Sequence, residues 1–397
     1  MSEQKSFSLT GSSKRLNFEN STFEAESKLT RSRPKLYTSY ASAQAMLNTP
    51  SKRWWVIGAA VLTLVAPFLV DSQMTYLLSL AMVYAIGGIG LNLLTGYAGQ
   101  VSLGHAFFMG VGAYTAAVLG GKPGSVVWGF QLDLAIVLPA AALVTALIGL
   151  LFAPLAAKVR GLYLAVLTLG LLLIGEHLFK TLTPISGGGG VGRGPAEAVL
   201  FGINLNQKFQ IAGVIINKDI FLYLLCFVLL ILSAIAARNI ARSRHGRALQ
   251  AVRDRDIAAE VIGVSLSRTK TLAFAVSAGY AGIAGALFSM VIGRIAPEQW
   301  NILLSINFLA VIFIGGLATI SGSIIGAVFV VLLPKLLELV APAIPFLTGE
   351  GGLLTLFQLE KILFGILIVV FIVIEPRGLY GLWLRIRNYF KAWPFSH

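Results

Sequence analysis

The chain has 397 residues, of which 56% are hydrophobic and only 12% are charged. About a quarter of the residues in soluble domains are charged, so this composition excludes a water-soluble globular protein. The net charge of +14 could serve nucleic-acid binding, but in a membrane protein it is typical of cytoplasmic loops that face anionic lipid.

The two ends of the chain are polar and basic. Residues 1–53 are rich in Ser, Lys, Arg and Glu and contain no apolar core, which predicts a disordered basic cytoplasmic tail rather than a signal peptide. Its basic cluster at 31–35 either binds lipid head groups or is simply solvated. Residues 377–397 are predicted to form a second basic cytoplasmic tail.

Between the tails, residues 54–376 are predicted to form a transmembrane domain. A helix needs about 20 apolar residues to cross the hydrocarbon layer. We therefore predict an all-α, polytopic membrane helical bundle of about ten transmembrane or re-entrant segments: 54–70, 74–95, 97–119, 132–153, 162–182, 220–237, 271–292, 302–320, 324–344 and 356–374. The third and eighth are rich in glycine and polar residues, so each is either a simple span or a broken helix.

The distribution of Lys and Arg predicts the orientation. If every segment crosses and the N-terminus is inside, most of these residues fall on the inner side, and both termini are cytoplasmic. This topology gives an outer loop at 183–219 and a charged inner loop at 238–270. The single cysteine, Cys226, lies in an apolar run and is expected to serve packing rather than a disulfide or metal site.

The densest polar signal within the predicted spans lies at 91–105. Polar side chains there are costly in lipid, and closely spaced glycines permit a helix break that frees backbone groups for a solute. Each polar residue either lines a translocation pathway or only bonds to neighbouring helices. A proton-carrying role for the histidine lacks a carboxylate relay in spans two to four. The candidate pathway residues are Asn92, Gly96, Gln100, Ser102 and His105.

The inner loop contains a predicted short helix. It begins at Asp256, carries the apolar residues Ile257, Val261 and Ile262 on one side, and stops at Gly263. Such a helix either docks in a groove of a cytoplasmic partner or lies on the membrane surface, and its mixed charge favours the partner.

Three other features affect the function class. Lys335 and Glu338, three residues apart in the ninth segment, are predicted to pair with each other. The glycine run at 187–194 lacks the Gly-x-x-x-x-Gly-Lys-Ser/Thr pattern of a phosphate loop. The sequence also lacks paired carboxylates or ligand clusters at useful spacing in the spans, so we expect a non-catalytic chain that binds no metal or cofactor.

Three blocks of the sequence, taken together, carry a family resemblance. They are 90–106 with 110–114, the inner loop from Gly246 to Gly263, and 375–379; the stretch 313–317, with Gly322 and Gly326, also fits. They resemble the LivM-type permease of bacterial high-affinity branched-chain amino acid importers, over residues from about 55 to 385. The outer loop departs from the Gly-Gly-Pro-Asn pattern common in the family, so no binding residues are assigned there.

The resemblance implies a multi-pass permease subunit of the bacterial plasma (inner) membrane that imports branched-chain or other neutral amino acids. Its implied partners are a homologous second permease subunit, two cytoplasmic ATPase subunits that use the ATP, and an external solute-binding protein. An importer of urea or short amides, or a passive channel or secondary transporter, remains an alternative. The inner loop would couple to an ATPase through Gly246, Arg247, Arg253, Asp256, Ala258, Ala259, Glu260 and Gly263.

Overall fold

The computed structural model describes residues 50–159, 161–204, 209–211, 214–340, 356–375 and 377–392. The chain divides into two compact units at residue 58, and the described part of the first unit is the start of one helix. The described part of the second unit is a helical bundle with two small β-hairpins.

The helices are α1 Pro50–Leu69, α2 Ser72–Asn92, α3 His105–Gly120, α4 Leu134–Lys158, α5 Leu162–Thr181, α6 Thr183–Ser186, α7 Lys218–Arg242, α8 Arg244–Asp254, α9 Asp256–Val261, α10 Leu266–Ile292, α11 Ile302–Gly315, α12 Ile320–Val340, α13 Leu356–Ile374 and α14 Gly378–Ala392. A single π-helical turn, Leu93–Tyr97, extends α2, and a 3-10 turn, Pro297–Gln299, precedes α11. The hairpins pair β1 Val199–Leu200 with β2 Ile203–Asn204, and β3 Phe209–Ile211 with β4 Val214–Ile216, both antiparallel.

Within the described residues, seven helical stretches are long and apolar enough to cross a membrane, by length and composition: Ser72–Tyr97, Leu134–Lys158, Leu162–Thr181, Lys218–Arg242, Leu266–Ile292, Pro297–Gly315 and Ile320–Leu339. Three shorter apolar helices accompany them: Val56–Leu69, His105–Gly120 and Lys361–Phe371. The prediction of a helical, polytopic membrane protein is confirmed. The count of about ten segments and the orientation of the termini stay predictions.

The third predicted segment is a broken helix. We predicted apolar chain over 97–119, whereas the α-helix begins only at His105 and residues 98–104 are irregular. The irregular stretch is tied to its surroundings, because the Gln100 N–H donates to the Leu94 carbonyl (3.1 Å) and the Leu103 N–H donates to the Thr168 hydroxyl (2.9 Å). These two N–H groups of the break therefore find partners inside the bundle.

The eighth predicted segment is shorter than the sequence indicated. α11 ends at Gly315 instead of residue 320, and α12 begins at Ile320 instead of residue 324. The residue after α11, Gly316, has φ of 132°, a backbone conformation that residues with a Cβ rarely adopt. The helix therefore breaks at the glycines of this segment, which is one of the two alternatives that its composition predicted.

The predicted loop and tails contain additional helix and strand. The outer loop 183–219 holds α6 and both hairpins, and α7 already begins at Lys218. Residues 378–392 of the predicted C-terminal tail form α14. The predicted N-terminal tail lies outside the described residues except for its last four, which begin α1.

Small residues set the packing at the centre of the bundle. A methyl group on Gly112 of α3 would lie 2.3 Å from the carbonyl oxygen of Gly282 in α10, and one on Gly282 would lie 2.6 Å from the Thr145 hydroxyl of α4. Helices in membranes associate through such close backbone approaches, because lipid supplies little hydrophobic driving force between them. Cys226 in α7 is fully buried and unpaired, which confirms its expected packing role.

Candidate coupling and translocation site

Asn92 joins the end of α2 to the turn between α11 and α12. Its side chain is buried, and Nδ2 lies 3.2 Å from the Gly316 carbonyl oxygen, 2.9 Å from that of Thr319 and 2.8 Å from the Ser323 hydroxyl. The Ala318 N–H donates to Oδ1 at 2.8 Å. The protein itself satisfies this amide, so the geometry favours the bonding role over the pathway role for Asn92.

Gly96 lies in the π-helical turn and touches the same α11–α12 turn. A methyl group on Gly96 would lie 2.0 Å from Asn92 Oδ1 and 2.4 Å from the Ala318 nitrogen. Its carbonyl oxygen accepts a hydrogen bond from Arg253 Nη1 at 2.9 Å. Single π-helical turns often occur at functional sites, and here the turn connects α2 to α8 of the inner loop.

The block at 375–379 reaches the same place. A methyl group on Gly316 would lie 2.3 Å from the Arg377 carbonyl oxygen, and one on Gly378 would lie 2.5 Å from that of Ile314. The buried Glu375 forms an ion pair with Arg385 of α14. All the blocks that carry the family resemblance therefore send residues to one end of the bundle. We call 92–100, 253, 314–319, 375, 377 and 378 the motif junction.

Gln100 lies beside a polar cavity at the motif junction. The side chain is 4% exposed, and neither of its polar atoms has a hydrogen-bond partner within the described part of the chain. It lines a cavity of about 210 Å³ together with Arg253 and Lys270. Unsatisfied buried amides are uncommon and mark a place where water or a solute can bind.

Ser102 and His105 lie deeper in the bundle. The Ser102 hydroxyl accepts a hydrogen bond from the Gly104 N–H at 3.3 Å. The His105 ring packs against the Phe308 ring, with 5.0 Å between ring centroids. Its Nε2 is buried without a partner among the described residues. The pathway role of both residues stays a prediction.

The predicted short helix of the inner loop is present as α9. It ends just before Gly263, whose φ of +88° confirms that residue as the stop. Ile257, Val261 and Ile262 are 68%, 83% and 75% exposed, so the predicted apolar side of the helix projects from this chain. We call these three residues the α9 apolar face.

Some of the other candidate coupling residues are exposed on α9, and others pack α9 against the rest of the chain. Asp256 Oδ1 accepts a hydrogen bond from the Ile257 N–H (2.9 Å) in the first turn of α9. Ala258 and Glu260 are exposed, whereas Ala259 is only 1% exposed. Ala259 therefore holds α9 against the rest of the chain and cannot contact a docked protein directly.

Gly246 and Arg247 fix the turn that leads into α8. A methyl group on Gly246 would lie 2.2 Å from the Ala241 carbonyl oxygen, so the chain can turn this tightly only without a side chain. Arg247 Nη1 donates to the Arg242 carbonyl oxygen at 3.2 Å. These contacts set the angle between α7 and the inner loop.

Sequence reasoning missed Arg193, which organises the glycine-rich outer loop. Its buried guanidinium donates to the carbonyl oxygens of Ala117 (2.6 Å), Trp128 (2.7 Å) and Ile185 (2.8 Å). Burial lowers the pKa of Arg193, but arginine starts so high that the group stays charged. The sequence feature that could have indicated this role is a single cationic residue inside a run of glycines.

The outer loop and the motif junction lie at opposite ends of α10. This helix has 27 residues and is therefore about 40 Å long. Its first residue follows the inner loop, and the segment after its last residue contacts the outer loop, since Arg294 Nε donates to the Val191 carbonyl oxygen at 3.0 Å. The molecule thus has an exposed apolar helix at one end and an arginine-organised loop at the other.

These features define a multi-pass helical membrane protein with an interrupted helix inside the bundle and an exposed helix at one end. Residues 73–372 match the family described as the permease component of the branched-chain amino acid transport system, and the chain belongs to this family of importer permeases. The resemblance inferred from the three sequence blocks is thereby confirmed.

Two relatives carry the description "high-affinity branched-chain amino acid transport system permease protein LivM". The proteins of Salmonella typhimurium and Escherichia coli are each 32% identical to this chain over 304 residues, which cover 73% of this chain and 70% of the relative. An autoinducer 2 import system permease protein, LsrC of Escherichia coli, is 29% identical over 68% of this chain and 73% of its own length. A search of solved structures gave no match.

Proposed function

We propose that this chain is a permease subunit of an ATP-driven importer that moves branched-chain or other neutral amino acids across the bacterial plasma membrane. Both termini are cytoplasmic, which places the motif junction inside and the Arg193 loop outside. Two separate ATPase subunits hydrolyse the ATP, a homologous permease completes the membrane assembly, and an external binding protein delivers the solute. This chain itself is non-catalytic and needs no cofactor.

The observation that carries the proposal is the connection between the α9 apolar face and the interior of the bundle. Three large apolar side chains project from a short helix on a charged loop, which is the arrangement expected for docking in a groove of another protein. From the same loop, Arg253 reaches the Gly96 carbonyl oxygen in the π-helical turn.

This connection provides a route for conformational coupling. A partner that moves α9 also moves α8, and Arg253 passes that displacement to the end of α2. Asn92 then links α2 to the α11–α12 turn through four contacts. Closure of ATPase subunits on ATP can thus shift two packed helices together and change access to the polar segment 98–104.

The solute class is supported by the two LivM relatives. The absence of a carboxylate relay in the sequence of the predicted spans two to four supports ATP rather than proton coupling. The test is uptake of labelled leucine, alanine, proline, glutamate, urea and autoinducer 2 by cells with and without the gene. We expect the deletion to abolish ATP-dependent uptake of leucine or another neutral amino acid. Selective loss of urea or autoinducer 2 uptake would overturn the solute class, and ATP-independent, protonophore-sensitive uptake would overturn the importer mechanism.

A surface substitution tests the coupling helix. We expect Val261→Arg to abolish copurification of the ATPase subunits and leucine uptake, because it places a charge on the α9 apolar face. Since Val261 is exposed, the chain's own free energy of unfolding should change by no more than about 0.5 kcal/mol. Val191→Arg, at a similarly exposed valine on the outer loop, is the matched control. Normal copurification of the ATPase subunits with Val261→Arg would contradict docking through α9. Ala259→Arg is not a suitable test of docking, because Ala259 is buried.

A further inference from the structure

A second cavity lies near the other end of α12, away from the motif junction. Its volume is about 220 Å³, and residues of α2, α11, α12 and α13 line it. This is below the range of about 300–1,000 Å³ usual for drug-sized ligands, so the cavity suits a small solute. None of the candidate pathway residues borders it.

The cavity contains the ion pair of α12. Lys335 Nζ lies 3.0 Å from Glu338 Oε2, which confirms the pairing predicted from sequence. Both residues belong to a stretch apolar enough to span a membrane, where ionisable side chains are costly and usually face a cavity or a partner. Their side chains remain 35% and 55% exposed, so each keeps hydrogen-bonding capacity for another group.

Two neutral polar side chains complete one part of the lining. Asn307 interrupts the apolar sequence of α11, and Gln73 lies at the start of α2. Within the described part of the chain, neither side chain makes a hydrogen bond. The remaining lining is mostly apolar, with Leu80 and Val331 among its side chains, and also contains Tyr84.

We propose that this cavity binds the zwitterionic group of a neutral α-amino acid. The carboxylate lies at Lys335, the ammonium group at Glu338, and an aliphatic side chain packs against Leu80 and Val331. Lys335 and Glu338 together have no net charge, and the zwitterionic group of the ligand has none either. The cavity therefore accepts a neutral amino acid better than a basic or acidic one. Asn307 and Gln73 supply donors and acceptors for the remaining carboxylate and ammonium positions.

This inference rests on the proposed function and names where on this chain the solute binds. A purely structural ion pair is the competing explanation. In that explanation both side chains help the chain to fold, and no amino acid binds in the cavity. The two explanations therefore differ in whether a solute protects the cavity from a chemical probe.

The single cysteine makes such a test possible. Cys226 is fully buried, so this chain gives a low background when its own labelling by a thiol reagent is measured. Asn307→Cys places a thiol in the cavity, and Gln73→Cys is a second reporter if Asn307→Cys assembles poorly. Leu336→Cys is the matched control, because Leu336 is 52% exposed next to Lys335 but does not line the cavity.

The experiment measures the rate of N-ethylmaleimide labelling in membrane vesicles that contain the complete importer. We expect saturating leucine to slow labelling of Asn307→Cys about tenfold, as about nine-tenths occupancy requires by mass action, and to leave Leu336→Cys unchanged. Leucinamide, which lacks the carboxylate, and 4-methylpentanoate, which lacks the amine, should give no protection. Adding Lys335→Gln or Glu338→Gln should remove the protection by leucine.

The outcomes separate the two proposals. If the parent importer carries leucine but leucine protects neither reporter cysteine, this inference is overturned and the proposed function stands. Protection that persists in both Lys335→Gln and Glu338→Gln would also overturn the zwitterion site. If the parent importer carries no amino acid, the proposed function fails and this inference falls with it.

Discussion

The two ends of the molecule are each organised by one buried polar side chain, and the two side chains work differently. Asn92 is neutral and both donates and accepts hydrogen bonds at the motif junction. Arg193 is charged and only donates, to three carbonyl oxygens of the outer loop. A buried charge is costly without full compensation, so a neutral amide suits a closely packed helix junction and a cation suits a loop made of carbonyl groups.

Glycine permits close backbone approach at both ends of the molecule, and the outer loop adds glycines that have open space around them. At the motif junction, a methyl group added to Gly96 or Gly316 would lie within 2.4 Å of another atom. In the outer loop, Gly188 and Gly190 have φ of +84° and +77°, and a Cβ there would meet little or nothing. Gly192 of the outer loop combines both features, because its φ is +66° and a methyl group there would lie 2.2 Å from the Ile295 carbonyl oxygen. The two ends therefore differ in the open glycines of the outer loop rather than in close approach.

The largest effect is expected from Asn92→Leu. The substitution leaves the Ala318 N–H without its partner, and an unsatisfied buried group costs about 1–3 kcal/mol. It also removes one donor each from the Gly316 and Thr319 carbonyls, which keep the Thr319 hydroxyl and the Ser323 N–H as donors, and each lost hydrogen bond costs about 1 kcal/mol. We expect a loss of several kcal/mol of stability, measured as a lower midpoint of thermal unfolding in detergent. Thr115→Val is the control, because that hydroxyl bonds only to the Val111 carbonyl of its own helix. Equal midpoints for both variants would show that Asn92 does not hold the junction together.

A smaller effect is expected from Arg193→Gln. Glutamine is shorter and cannot reach three carbonyl oxygens, but water near the outer loop can replace part of what is lost. We expect faster proteolysis of the loop from the outside and a loss of about 2–3 kcal/mol. Arg193→Lys should restore only part of this, because a lysine ammonium cannot match the planar fork of arginine. Full restoration by lysine would mean that charge alone organises the loop.

The smallest effect on stability is expected from Arg253→Met. It removes the hydrogen bond to the Gly96 carbonyl while keeping much of the side-chain volume, which should cost about 1–2 kcal/mol. Its effect on function should be larger, with ATP hydrolysis retained and leucine uptake per ATP reduced. Arg255→Met, an exposed neighbour on the same loop, should leave that ratio unchanged. An unchanged ratio in Arg253→Met would remove this arginine from the coupling route.

Much of the fold could be predicted from apolar segments of membrane length, because a membrane span is encoded locally. The breaks at 98–104 and 316–319 were harder to place, since each depends on contacts with distant parts of the chain. Residue 92 illustrates this limit: its bond to Gly316 crosses 224 positions of sequence. No local pattern specifies which helix a buried amide will meet.

For the site, local patterns predicted α9 well and the outer loop poorly. Acidic residues, an apolar side and Gly263 were enough to predict a short exposed helix, because those features act within a few residues. The role of Arg193 depends on carbonyl groups from three separate segments, which come together only in the folded chain. Ala259 was correctly included in the helix, but its burial could not be read from its neighbours.

The start of α3 inside the bundle bears on whether protons and metal cations can leak across the membrane. The helix begins at His105, where residues are buried, and the Ala106 N–H donates to the Ser305 hydroxyl at 3.1 Å. The positive end of the helix dipole therefore faces the irregular segment 98–104. A positive potential at that position repels protons and metal cations, so under the proposed function a solute route along this segment would exclude protons.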